Sequence, residues 1–531
     1  MTDVVNLDAI LVELGQFGRY QIRNYCLILL TIVYSALFNS QYIFAAGAVD
    51  YRCQVPECET VPPEFNAGGW GSWALPDSRD RCERLVPIGE ECSPENFWKN
   101  QTKPCSAWVY ESNNTIVESF DLACEEWKRT LVGTIHSVGT FIALTFVGLV
   151  SDNYGRRIAL VLSLVSPAVL GTARAFSQNY AMYILLELGE AIVSGGIYTT
   201  SFVLALEMVG PKRRVIAGTM ISATFAIGQV FTALIAWAVP YWRHFTIAVY
   251  APSVLFIAYY WLIGESVRWL LSKDRKKEAA SIIFKAAEIN KKKLSPESIK
   301  ALTEKPQVEQ EKRLPSETKT DETSPIKQVL RSRKIMFRLF ICSFWWITLT
   351  FVYYGLSINS VTLAGNSYVN YILTSLVEIP GYVLSFLTLN RFGRKSSIMT
   401  AFFICGISLV ILPFLPESVS WLQTTLNLVA KLFISLAFSS TYIYTGELFP
   451  TQARHSCLGA CSMFGRIGSI VAPQTPLLMA YMVSLPYLIF GVMAVTSGLL
   501  MCLTPETLGI KLPDTIEEAE NIIAVKKNNV A

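Results

Sequence analysis

Residues 148–157 read GLVSDNYGRR, and residues 386–395 read FLTLNRFGRK. Asp152, Gly155 and Arg156 in the first stretch match Asn390, Gly393 and Arg394 in the second, an offset of about 238 residues. Each stretch closes a long apolar run on a glycine followed by two basic residues. Two further echoes keep the same order. Glu207 and Arg214 stand seven apart, as do Glu447 and Arg454. GESVRWLL (264–271) in one half answers PETLG (505–509) in the other. Three features in one order at nearly one offset mark an internal duplication.

Composition says what is duplicated. The 531 residues are 52% hydrophobic and 16% charged, with mean hydropathy +0.38. Soluble domains carry roughly 25% charged residues. About 20 apolar residues cross a bilayer core as a helix. Twelve runs of that size fall near 24–48, 128–150, 157–177, 181–206, 214–239, 243–264, 335–359, 366–389, 396–415, 421–445, 456–481 and 484–505. The expectation is an all-α membrane protein with twelve spans in two pseudo-symmetric halves, 24–264 and 335–505. Between them, 265–334 is a charged linker, helical near 274–292 and flexible around 293–325. Residues 1–23 form a polar N-terminal segment that does not read as a signal peptide. Residues 506–531 form a tail.

Short loops set the orientation, because Lys and Arg accumulate on the cytoplasmic side. GRR (155–157), PKRR (211–214), RFGRK (391–395) and TQARH (451–455) all follow even-numbered spans. They place the linker and both termini in the cytoplasm, with the plasma membrane as the expected location. The segment 49–127 is then extracellular. It holds Cys53, Cys58, Cys82, Cys92, Cys105 and Cys124. Six cysteines in one polar loop outside the cell imply three disulfides, and fifteen pairings are open. A metal cluster fits less well, since no histidine lies in the loop. Asn100-Gln-Thr and Asn113-Asn-Thr are glycosylation acceptors in the same loop, which also offers a surface for self-association.

Charges within the spans need a reason to be there. An arginine at the bilayer centre costs at least about 2.5–3.5 kcal/mol on insertion scales. Arg466, in CSMFGRIGSIVAP (461–473), stands twelve residues beyond Arg454, or about 18 Å along a helix. Two readings stay open: a counter-ion for a substrate carboxylate, and a permanent pair with Glu378 in LVEIPGY (376–382). Glu187 and Glu190 are three apart and share a helix face. They are open to proton or sodium coupling, or to pairing with a nearby basic residue. Lys431 is a further basic residue in span 10. Trp346 and Tyr353, two turns apart, share a face beside Tyr354, and aromatic faces attract organic cations. At the cytoplasmic ends, Asp152, Arg156, Arg157, Glu207, Arg214, Arg391, Arg394, Glu447 and Arg454 read as a latch that closes the inner face in one state and parts in another. His136, His244 and His455 stand isolated in the sequence. No catalytic, metal-binding, cofactor-binding or nucleic-acid-binding constellation is apparent.

These segments together resemble one family. FDLAC (120–124), GLVSDNYGRR, GESVRWLL, FVYYGL (351–356), LVEIPGY, YTGELFPTQAR (444–454), GRIGSIVAP (465–473) and PETLGIKLPDTIEEAE (505–520) are similar, in this order, to the organic cation, anion and zwitterion (carnitine) transporters of the major facilitator superfamily. The resemblance implies alternating-access transport of small organic ions and no enzymatic chemistry. It implies a central cavity lined by aromatics and one charge on span 11, here Arg466. By the same similarity, Asn39, Tyr198, Phe225, Trp346, Tyr353 and Phe438 line that cavity. Two departures stand out. Tyr382 occupies a position where anion carriers often have lysine, and Glu187 one where the family usually has arginine. A zwitterion or an organic anion fits Arg466, whereas a simple cation would need Glu378 as its counter-ion. A coupled symporter, a sugar carrier and a non-transporting scaffold are the alternatives.

Overall fold

The structure, a computed structural model, describes residues 7–15, 17–76, 81–210, 213–303, 325–510 and 512–522. Twelve helical spans form two halves. Spans 1–6 are Arg19–Ala45, Glu126–Tyr154, Arg156–Arg174, Tyr180–Met208, Arg214–Ala238 and Trp242–Leu262. Spans 7–12 are Arg333–Asn359, Ser367–Phe392, Arg394–Phe414, Ser420–Leu448, Arg454–Val471 and Leu485–Met501. Ten are long and apolar enough to cross a membrane by length and composition. Span 11 is diluted by its arginines and glycines, and span 12 has only 17 helical residues. Proline, which lacks an amide donor, shifts helices locally. Span 11 continues as 3-10 helix over Ala472–Ala480, past Pro473 and Pro476. Span 6 turns 3-10 over Ala251–Ala258 at Pro252. Span 8 breaks at Val377, three residues before Pro380.

Packing repeats between the halves. Span 1 runs along span 5 as span 7 runs along span 11. The halves meet through two matched pairs, span 2 with span 11 and span 5 with span 8. Their side-chain bonds lie toward the end that carries the cysteine-rich loop. Thr130 donates to Gln474 (3.0 Å), Thr134 to the Ile470 carbonyl (3.1 Å), and Ser375 to Gln229 (3.1 Å). Tyr368 stacks on Phe44 and Trp237 at the same end.

The GRR and GRK echoes have a common cause. Gly155 and Gly393 adopt φ of 111° and 98°, a region that favours glycine. Each turn brings a carboxylate onto the first amides of the next helix. Glu265 accepts from Arg156 N (3.0 Å) and Arg157 N (3.2 Å), and Glu506 from Arg394 N (2.9 Å) and Lys395 N (3.1 Å). Helix N-termini leave amides unsatisfied and favour negative charge. The glutamates of GES and PET supply both needs.

The loop between spans 1 and 2 is a small disulfide-held unit. Tyr51–Cys53 pairs antiparallel with Trp108–Tyr110, and Glu83–Pro87 with Phe97–Pro104. Of the fifteen open pairings, the structure has Cys53–Cys105, Cys58–Cys92 and Cys82–Cys124. Arg52–Glu59 and Arg84–Glu57 ion pairs and a core of Val55, Ala74, Leu85 and Phe97 complete it. Asn100 and Asn113 are exposed.

The opposite end differs from the expectation in two places. Within 1–23, helix Leu7–Glu13 packs Leu7, Ile10 and Leu11 on Ala280, Ile283 and Ala287 of linker helix Lys276–Asn290. The amphipathic spacing of Leu7, Ile10 and Leu11 made the docking possible. The Ser295 backbone amide holds the Glu13 carboxyl below its ordinary pKa. In the segment expected to be flexible, Pro296–Thr303 is a helix, 304–324 lies outside the described residues, and a further helix, Pro325–Arg331, begins where that segment ends.

Because each carboxylate accepts from two helix-start amides, Glu265→Ala or Glu506→Ala should each cost about 1.5–3 kcal/mol. Asp152→Ala should cost under about 1 kcal/mol, because the Asp152 carboxylate is 72% exposed in its pair with Arg156. Thermal melting of the detergent-solubilised protein checks the ranking.

Candidate functional site

Span 8 carries Glu378 just after its break, and the side chain is wholly buried. Three groups meet it. Lys431 of span 10 pairs with it at 3.0 Å, and Tyr353 (2.7 Å) and Tyr382 (3.0 Å) donate their hydroxyls. Gln229 of span 5 donates to the Tyr353 hydroxyl (3.3 Å) and brings the other half into the network. Lys431 is equally buried; it donates to Ser357 (2.7 Å) and the Tyr353 carbonyl (3.0 Å) and sits 3.4 Å from the Tyr353 ring centre. A buried ion pair survives desolvation only when its remaining donors and acceptors find partners, and here they largely do.

Of the two readings left open for Arg466, the permanent pair with Glu378 is not formed. Glu378 pairs with Lys431, not with Arg466. Lysine on span 10 faces span 8 across the helix contact, so the closer cation takes the carboxylate. Among the described residues no carboxylate lies within 4.0 Å of Arg466. Its guanidinium is half-buried, within Coulombic range of the Tyr354 and Tyr442 hydroxyls.

Tyr354 and Tyr442 belong to a connected group of aromatic rings. Trp346 meets Tyr442 edge-on at 4.4 Å and donates its indole N–H to Thr445 (3.2 Å). Phe438 links Tyr442 (6.0 Å) to Tyr353 (5.2 Å), and Tyr353 meets Tyr354 at 5.3 Å. From the other half, Tyr198 and Phe225 meet edge-on at 5.5 Å, and Tyr198 lies within Coulombic range of Tyr442, Tyr354 and Glu378. Gly195 and Gly196 interrupt span 4 just before Tyr198. Of the residues expected here, Asn39 on span 1 is half-buried but makes none of these contacts. Tyr442 was missed; its signal was the spacing of four from Phe438 on one helix face.

A sequence profile described as "Sugar (and other) transporter" matches residues 91–519. The organic cation transporter protein of Drosophila melanogaster is 34% identical over 524 residues, covering 97% of this chain and 94% of that protein. Solute carrier family 22 member 3 of Mus musculus is 31% identical, covering 97% and 96%. Organic cation/carnitine transporter 2 of Homo sapiens is 29% identical, covering 98% and 95%. The inward-open structure of the xylose transporter XylE from E. coli shares the fold, with a TM-score of 0.60 at 16% identity over 94% of this chain and 99% of that one.

The chain belongs to this transporter family of the major facilitator superfamily. It is a multi-pass membrane transporter rather than an enzyme.

The transporter's expected latch residues form two sets, each tied within its own half. Arg156 pairs with Asp152 (2.7 Å) and lies 3.9 Å from Glu207, which accepts from Ser266. Arg394 pairs with Glu447 (3.2 Å) and reaches Asn390 (3.4 Å), and Thr507 donates to Glu447 (2.5 Å). Arg157 stacks on Tyr260, and Arg391 on Phe392. Arg214 does not meet Glu207. It pairs with Asp8 (2.6 Å), which also binds Arg268, because the N-terminal helix docks there. Arg454 donates to Thr451 (3.1 Å). Glu265 and Glu506, the carboxylates that hold the turns, were echoed in the sequence but not assigned a role.

A correction concerns His136. It is not isolated: spans 2, 3 and 4 bring it against Glu187, Glu190 and Arg174.

Lys431→Met strands a buried carboxylate, and breaking such a pair costs about 3–5 kcal/mol. Lys431→Met combined with Glu378→Gln should recover most of that loss. Melting temperatures of the single and double variants check it.

Proposed function

We propose that this transporter carries small organic ions bearing a carboxylate, with carnitine-like zwitterions as the leading substrate class. The observation that carries the reading is the charge balance of the central cluster. Glu378 is neutralised by Lys431, whereas Arg466 has no carboxylate partner among the described residues. Guanidinium presents a planar fork of donors matched to a carboxylate. Tyr354, Tyr442, Trp346 and Phe438 offer ring faces for an ammonium group. The names of the related organic cation and organic cation/carnitine transporters support the same class. A simple cation fits less well, because the available carboxylate is already paired.

On this reading the halves 24–264 and 335–505 rock about the central cluster in the plasma membrane, with both termini and the linker 265–334 in the cytoplasm. The tied sets around Arg156 and Arg394 keep each half rigid and meet as a gate in the outward-open state. Asn100 and Asn113 carry glycans, and the disulfide-held loop is the surface offered for self-association. Transport coupled to an ion is the second reading, favoured by the buried His136 cluster.

Arg466→Ala, at matched surface expression, should reduce labelled carnitine uptake at least tenfold. It should spare, or raise, uptake of a simple quaternary ammonium. If the variant carries carnitine as well as wild type does, Arg466 is not the substrate's counter-ion. A dicarboxylate taken up in place of carnitine would redirect the substrate class to anions.

A further inference from the structure

Four ionisable side chains meet away from the central cluster, inside the first half. Glu187 and Glu190 of span 4, His136 of span 2 and Arg174 of span 3 are each at most 4% exposed. His136 Nδ1 and Glu187 Oε1 share a hydrogen bond of 2.8 Å. Arg174 pairs with Glu187 and donates to Gln41 of span 1 (2.7 Å). Glu190 is different. Its Oε2 points at His136 Nδ1 from 3.9 Å, and neither oxygen has a hydrogen-bond partner.

The charges balance only if the imidazole is protonated. With a neutral imidazole, Arg174 offsets one carboxylate and leaves the other. An uncompensated carboxylate costs several kcal/mol in a buried site, and two carboxylates sharing one site favour protonation of one of them. No other cation reaches Glu190 among the described residues. The titratable and charged groups around it are Glu187 and Tyr183 on its own span, His136 from span 2, Arg174 from span 3 and Tyr250 from span 6, while Gln41 of span 1 bonds Arg174 and Tyr42 lies against the His136 ring. A metal ion is disfavoured by the guanidinium in the cluster. A proton fits, and its removal would leave the charge that Arg174 and His136 must then share.

Position gives the proton a use. His136 stands one helical step from the bonds that join the halves. Thr130 and Thr134, on the same span, bond Gln474 and the Ile470 carbonyl of span 11 and its extension. Tyr42, 5.3 Å from the His136 ring, packs with Pro473 over Gly133. Span 11 also carries Arg466, one turn before Ile470.

We propose that Glu190, buried beside His136, is a proton-binding site, and that it takes up and releases its proton as the loop end of the bundle closes and opens. The transporter is then proton-coupled. The coupling part rests on the transport reading above; the site itself does not.

Infrared difference spectra of the purified full-length protein test the site without any substrate. A protonated-carboxyl band should appear as pH is lowered, vanish in Glu190→Gln and return, shifted, in Glu190→Asp. In liposomes, an acid-outside gradient should raise wild-type carnitine uptake several-fold over uptake at equal pH, and Glu190→Gln should abolish that ratio. A band that does not titrate, or that persists in Glu190→Gln, overturns the site. Wild-type uptake indifferent to the pH gradient, or driven by sodium instead, overturns the coupling. A titrating band that Glu190→Gln removes, in a protein that carries none of the organic ions offered, upholds the site and sinks the substrate reading instead.

Discussion

Glu378 and Lys431 face each other from spans 8 and 10 with no exposure to solvent, and the rest of the centre is arranged around that pair. A charge in a low-dielectric interior is tolerable only when an opposite charge and a full set of hydrogen bonds replace its water. Tyr353, Tyr382 and Ser357 complete that set, and Gln229 extends it into the other half. The same rule makes Arg466 stand out. It sits on span 11 among aromatic rings, with no carboxylate near it among the described residues.

Duplication supplies the frame. Each half closes its second span on a glycine turn and lays a carboxylate, Glu265 or Glu506, on the amides that follow. Each then buttresses an arginine against a second carboxylate, Glu207 or Glu447. These ties stay within their own halves. Among the described residues, side-chain bonds between halves run through Thr130, Thr134, Gln474 and Gln229 toward the loop end, and Gln229 also reaches Tyr353 in the centre. Strong ties within halves and a few hydroxyl and amide bonds between them are what alternating access requires, since only the weaker set must exchange.

Much of this was legible in the sequence, and for identifiable reasons. The twelve spans follow from hydrophobic length, and the halves from the echoes at 152, 207 and 265. The aromatic centre followed from the helical spacing of Trp346 and Tyr353 together with the family resemblance. What stayed hidden depends on which helices face each other. Glu378 had two candidate cations, and only the span 8–span 10 contact selects Lys431. His136 lies 51 residues before Glu187, so no local pattern joins them. Arg214 was read against Glu207 on the same connection, but the N-terminal helix brings Asp8 to it. Fifteen disulfide pairings were equivalent until the two small sheets fixed which cysteines meet.

The central claim is that Arg466 receives the substrate's carboxylate while Glu378 stays with Lys431. The most direct measurement is an experimental structure of the transporter with carnitine bound. The account predicts the carboxylate within hydrogen-bonding distance of the Arg466 guanidinium, the trimethylammonium against Tyr354 and Tyr442, and the Glu378–Lys431 pair unbroken. Carnitine with its ammonium on Glu378 and Lys431 turned away, or with its carboxylate remote from Arg466, would contradict it.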